Sequence, residues 1–206
     1  MLAEIAGAST WLPWVMTVYS CFILALWIVF IAVWAVMAVS AKRNIGARFR
    51  WGQIGWRAAI IALVVWALSF PAVRRALRNA RSHAAGVSTL SGVVGVALCA
   101  FGIGLAIWAR LHLGRNWGTP MSRKENPDLV TTGPYAHIRH PIYTGMLLGM
   151  LGSAIGQSAF WSIPLVFSAV YFVYSARREE KLMMEQFPGQ YPEYMSRTKM
   201  LVPFVF

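Results

Sequence analysis

Long uncharged runs alternate with short polar ones along this 206-residue chain. Ile5 to Ala41, Ala84 to Ala109 and Pro141 to Ala176 contain no Asp, Glu, Lys or Arg. Each exceeds the ~20 residues that cross a bilayer, and Ala58 to Val73 falls only a little short. A first helix is expected from about Leu12 to Val39, ended by Lys42-Arg43, with Trp11 and Trp14 as interfacial anchors. A second is bounded by Arg57 and Arg74-Arg75, with Pro71 in its last turn, and a third runs from Ala84 to Ala109 and stops at Arg110. Pro141 to Ala176 would make a single helix of ~54 Å, too long for one crossing, yet it is short for two full spans and a turn. A hairpin of two short helices turning near Gly152 to Ser158 fits it best. Gly145, Gly149, Gly152 and Gly156 fall at GxxxG spacings, which put small residues on one face for close helix contact. The expected fold is all-α: a polytopic membrane protein with three transmembrane helices, a short helical hairpin and an amphipathic C-terminal tail. Residues 1–109 form the membrane base, and 110–206 form the loop, hairpin and tail.

Composition agrees with this pattern. Hydrophobic residues make up 58% and charged residues 13% of the chain, whereas a soluble domain has about a quarter charged. A soluble enzyme, a disordered tail and a disulfide scaffold are excluded. The formal charge is +12, but the basic residues sit in short segments between apolar runs, where they contact anionic headgroups and set topology. No basic stretch is interleaved with aromatics on a polar surface, so nucleic acid is not an expected partner. Apart from Arg74, Arg75, Arg78 and Arg81, the basic residues fall in the 42–57 loop, the 110–139 segment and the tail. Three crossings and a returning hairpin place those on one side, which the positive-inside rule makes cytoplasmic, with the N-terminus outside. The N-terminus has no basic region of the signal-peptide kind, so the first span is expected to be retained. Cys21 and Cys99 lie inside apolar runs and read as small packing residues.

Chemistry is concentrated after Arg110. The densest stretch is Leu129-Val-Thr-Thr-Gly-Pro-Tyr135-Ala-His-Ile-Arg139-His140-Pro141-Ile142-Tyr143-Thr-Gly145. After the hairpin come Arg177-Arg-Glu179-Glu180-Lys, then Phe187-Pro-Gly-Gln-Tyr191-Pro-Glu-Tyr194, then Arg197 to Pro203. Taken singly, each element has a plainer reading. His140-Pro141 suits a helix start. Glu179-Glu180 suits a solvated face paired with Arg177, Arg178 or Lys181, and the tyrosines suit interfacial anchors. His112, His137 and His140 lack a thiolate or a suitably spaced carboxylate, so no metal site is expected. Gly102 and Gly104 lie mid-helix and read as packing, not as a dinucleotide loop.

Together, over about Leu113 to Pro203, the elements LVxxGxY, RHPxYxG, EE and YxxY with a nearby Arg resemble the isoprenylcysteine carboxyl methyltransferase family and its relatives among membrane phospholipid methyltransferases. The resemblance implies S-adenosylmethionine as cofactor, in a pocket built by the hairpin, the preceding loop and the tail. It implies that Leu129, Val130, Tyr135, His140, Pro141, Ile142 and Tyr143 line that pocket. Glu179 or Glu180 would hold the donor's amino or hydroxyl groups, Arg139 and Arg197 would orient an anionic acceptor, and these two arginines with Glu180 make up the expected catalytic set. A carboxylate acceptor is already nucleophilic and needs only an Arg fork to aim it, while an amine or thiol would need a base such as His137, His140 or a tyrosine. Two departures bear on the acceptor and not on the cofactor site. Ser175 stands where the eukaryotic prenylcysteine enzymes place arginine, and Phe187-Pro188 stands where they have FG. The expected partners are membrane lipids and a lipophilic or lipidated acceptor. Phospholipid or thiol methylation, an NADPH-dependent reductase of the sterol-reductase type and a non-enzymatic membrane role are the alternatives.

Overall fold

The computed structural model describes residues 2–38, 44–45, 88–114, 123–124, 128–157 and 161–202. Within them lie five helices: α1 (Leu2–Ala38), α2 (Thr89–Leu113), α3 (Pro141–Gly156), α4 (Ser162–Gln186) and α5 (Tyr191–Arg197). A short 3-10 turn spans Gly133–Ala136, and two-residue strands β1 (Asn44–Ile45) and β2 (Arg123–Lys124) pair antiparallel.

Two helical segments among the described residues are long and apolar enough to cross a membrane, Val18–Met37 and Thr89–Leu113. The second expected crossing, Ala58 to Val73, lies outside the described residues. The hairpin is corrected in two respects. Gly152 belongs to α3, which continues to Gly156, so the turn comes later than expected. The second arm is not short: α4 has 25 residues and carries the helix past Ala176 through Glu179 and Glu180. The expected tail is thus partly helix α4, followed by a short α5. The charges after Ala176 do not break the helix, which ends at Gln186 just before Phe187-Pro188.

The most intimate contact is between α2 and α3, which run antiparallel. Gly95, Cys99, Gly102 and Ala106 on α2 meet Gly145, Gly149, Gly152 and Gly156 on α3. A methyl group at Gly145 would lie 2.5 Å from the Gly102 carbonyl oxygen and 2.7 Å from the Ala106 nitrogen. The GxxxG face therefore packs on α2 and not on the other arm of the hairpin. Lipid offers little hydrophobic drive for helix pairing, so dispersion between close backbones has to supply it. Gly104, by contrast, meets nothing, so of the two mid-helix glycines only Gly102 serves packing.

Helix α1 lies along this pair through Ile23, Trp27 and Phe30, which join Cys99, Ile103 and Ala106 in one cluster. Trp27 Nε1 donates to Ser153 Oγ at 3.1 Å, and Ser153 in turn donates to the Gly149 carbonyl at 2.8 Å. At the far end Arg110, fully buried, donates to the Met37 carbonyl at 2.8 Å and to the Gly114 carbonyl at 2.8 Å. Its cation thereby meets the negative C-terminal ends of both α1 and α2. Because Tyr19 sits on Gly92 and Met37 on Arg110, α1 and α2 run parallel.

Gly145→Leu should separate α2 from α3 and destabilise the protein by about 1–3 kcal/mol or more, as overpacking does. Gly104→Leu should leave stability nearly unchanged. Thermal unfolding of the two variants in the same detergent measures the difference.

Candidate active site

The antiparallel α2–α3 contact brings the start of α3 beside the end of α2, and the polar loop before α3 closes over that junction. The loop needs a glycine to do so. Gly133 has φ +59, and the His112 ring lies where a side chain would go, within 2.9 Å of a built methyl. His112 Nε2 is also 2.8 Å from Thr132 Oγ1. The next residues, Pro134 and Tyr135, are buried, and Tyr135 points its hydroxyl at the Ala109 carbonyl, 3.5 Å away. Leu129 and Val130 lie half-buried just upstream.

Helix α3 begins as the sequence suggests, with Pro141 in its first turn and a non-helical His140 before it. The His140 ring makes no capping bond and is free for other use. It stacks on Tyr143 at 5.5 Å, and Tyr143 stacks on Phe172 of α4 at 4.6 Å. Ile142, Phe172, Ala176 and Leu201 complete this apolar wall.

The end of α4 meets this ring with both carboxylates. Glu179 accepts a hydrogen bond from the Tyr143 hydroxyl at 2.6 Å, and its other oxygen is 3.6 Å from His140 Nδ1. Glu180 accepts from Arg139 Nε at 2.6 Å and lies 3.4 Å from His140 Nε2, without hydrogen-bond alignment. Adjacent helix residues point ~100° apart, yet both reach His140 because the ring lies between them. The difference shows in exposure: the Glu179 side chain keeps 25% and Glu180 only 8%. Burial alone would raise the Glu180 carboxyl, but the contacts from His140 and Arg139 outweigh it and hold the group below the usual carboxylate range.

The C-terminal segment forms the last wall. Arg139 N–H donates to the Lys199 carbonyl at 2.8 Å, His140 N–H to the Met200 carbonyl at 3.1 Å, and Lys199 N–H to the His137 carbonyl at 3.4 Å. Thr144 Oγ1 donates to the Leu201 carbonyl at 2.6 Å. Residues 198–201 thus lie as a strap across the start of α3. Helix α5 holds the strap from behind. The Tyr194 hydroxyl donates to the Tyr135 carbonyl at 2.7 Å, and Thr198 Oγ1 to the Tyr194 carbonyl at 2.7 Å. Burial pushes Tyr194 up to about 12 and raises Tyr135 and Tyr191 as well, so all three stay neutral donors at ordinary pH.

Of the residues expected from the sequence, Tyr135, Arg139, His140, Pro141, Ile142, Tyr143, Glu179 and Glu180 converge at this junction, with Leu129 and Val130 just before it. Arg197 does not join them by contact: it is exposed and pairs with Glu193, one turn back, at 3.4 Å. Thr144, Phe172, Tyr194, Thr198 and Leu201 add to the site beyond the expected set. Tyr194 stands in the YxxY element. The strap contacts run through backbone carbonyls, which leave no residue signature.

Comparison with known proteins supports a family assignment. The phospholipid methyltransferase family profile matches residues 90–190, from the start of α2 to the start of α5. The cobalt-zinc-cadmium resistance protein of Cupriavidus metallidurans is 32% identical over 54% of this chain and 47% of its own length. Protein-S-isoprenylcysteine O-methyltransferase of Schizosaccharomyces pombe is 30% identical over 47% of this chain and 43% of its own. Protein-S-isoprenylcysteine O-methyltransferase B of Arabidopsis thaliana is 36% identical over 40% of this chain and 43% of its own. The matched region thus spans less than half the length of these relatives. The glycine-packed α2–α3 pair and the site residues from Leu129 to Glu180 lie inside the matched residues, and over 90–190 this chain is similar to the phospholipid methyltransferase family.

Proposed function

We propose that this protein is an integral-membrane methyltransferase that uses S-adenosylmethionine and acts on a lipophilic acceptor. The observation that carries the reading is His140 held between Glu179 and Glu180 at the end of the apolar bundle. The names of the Schizosaccharomyces pombe and Arabidopsis thaliana relatives point the same way, and protein-S-isoprenylcysteine carboxyl methylation is the acceptor chemistry they favour.

The residues suit such a donor. Two carboxylates beside one ring give a negative site, matching a donor that is cationic at its sulfonium and its amino group. The His140 Nε2 atom is buried without a hydrogen bond, and Glu179 retains a quarter of its side-chain exposure, so polar capacity remains for a ligand. Glu179 would take the donor's amino or hydroxyl groups, and the Leu129–Val130 backbone, Tyr135, His140, Pro141, Ile142 and Tyr143 would line its pocket. S-adenosylmethionine supplies an electrophilic methyl group, so the protein's task is to align the acceptor and exclude water. The stacked Tyr143 and Phe172 and the buried Leu201 serve exclusion. Arg139 is already bound to Glu180 and to the tail, which leaves Arg197, with its weak exposed pair, as the cation for an anionic acceptor. In this reading the basic loops face the cytoplasm, the N-terminus lies outside, and the acceptor enters laterally from the lipid.

Calorimetry on detergent-purified protein tests the assignment: S-adenosylhomocysteine should bind and NADPH should not. Binding of NADPH alone, or of neither, would overturn it. Glu179→Gln should weaken S-adenosylhomocysteine by about tenfold or more, the usual value of a hydrogen bond to a charged group. Arg197→Ala should spare that affinity and lower methyl transfer from labelled donor into membrane lipids and thiols; loss of binding instead would contradict its assigned role.

A further inference from the structure

Arg139 joins three segments that are distant in the chain. Its Nε donates to Glu180 on α4, and its Nη1 donates to the Met195 carbonyl at 3.3 Å and to the Thr198 carbonyl. Its own backbone N–H holds the Lys199 carbonyl. The side chain is only 9% exposed. One guanidinium thus grips the end of α4, the end of α5 and the strap, while the neighbouring residue, His140, faces both carboxylates. A planar fork is required for this. An ammonium at the same position would be a single point of charge and would not span a carboxylate and two carbonyls on different elements.

We propose that Arg139 is a positioning residue: it fixes Glu180 against His140 and latches the C-terminal strap over the site, so that donor binding depends on a side chain that touches neither donor nor acceptor. This rests on reading the site as a methyl-donor pocket. The strap is not a loose cover. Leu201 is buried against Tyr143, Phe172 and Ala176, and Thr144 holds its carbonyl. Releasing the latch therefore disturbs the wall that carries the His140–Tyr143 stack.

The groups facing Glu180 are Arg139 from the loop, His140 at the start of α3, Glu179 on its own helix, and Tyr191 and Tyr194 from α5. Arg139 and His140 lower the carboxyl against the opposing pull of burial. Without Arg139 the balance moves toward burial and the carboxyl rises. A group lowered in the folded state loses its contribution as pH falls through its folded value, so raising it moves that loss to higher pH.

The test uses full-length protein in detergent, S-adenosylhomocysteine calorimetry across pH, and limited trypsin digestion after Lys199. Arg139→Gln should weaken S-adenosylhomocysteine by about tenfold or more, shift the acid limb of binding to higher pH, and speed cleavage after Lys199. Arg139→Lys should recover part of the pH profile but not the protection of the strap. Wild-type affinity, pH profile and cleavage rate in Arg139→Gln would overturn the proposal and return Arg139 to the acceptor. Thr144→Val, a milder change, should loosen the strap without moving the acid limb. An equal shift in that variant would overturn the link to Glu180. If wild-type protein binds no S-adenosylhomocysteine, the methyltransferase reading fails, while the digestion, which needs no cofactor, still decides the latch.

Discussion

The close approach of α2 and α3 sets everything else in this structure. Within lipid, side-chain burial is no longer driven by water, so two helices stay together only if they fit better than lipid tails do. Glycines at 95, 102, 145, 152 and 156 provide that fit by letting backbone touch backbone. The contact also fixes register, because the glycine faces match along both helices only when Gly102 opposes Gly145 and Gly149. That register puts His140 and Tyr143 beside the end of α2 and under the loop that carries Tyr135.

The second constraint is electrostatic. Breaking a buried ion pair by removing one partner typically costs about 3–5 kcal/mol, because the remaining charge stays desolvated. Here Glu180 and Arg139 are both nearly buried, and their network is closed by His140 and by backbone carbonyls of α5 and the strap. A charge pair so placed does more for geometry than for net stability. It permits one arrangement of α4, α5 and the α3 start and penalises the others.

Much of this was legible in the residues. Uncharged runs located α1, α2 and the α3–α4 hairpin, and the motif residues of the loop and of α4 do converge. Two kinds of feature were hidden. Helix α4 continues through Arg177 to Gln186 because a charged face is compatible with helix once the chain leaves the apolar layer, so a composition boundary at Ala176 is not a helix boundary. The strap was invisible because its bonds to His137, Arg139 and His140 use main-chain groups common to every residue. Arg139 likewise carries no mark in the sequence that distinguishes a guanidinium turned toward Glu180 from one aimed at a ligand.

The location of the site follows from these costs. Ionised groups in the hydrocarbon centre are penalised by several kcal/mol each, so Glu179, Glu180 and Arg139 cannot sit deep in the bundle. The lipophilic acceptor proposed for this site, on the other hand, would not leave the membrane readily. Only the level where α2 ends at Leu113 and α3 starts at Pro141 satisfies both demands, with apolar helix below and polar loop above. The same level is where Arg110 caps α1 and α2 and where the strap closes. The boundary between the membrane and water thus selects the helix ends as the place for polar chemistry, and the glycine register determines which helix ends meet there.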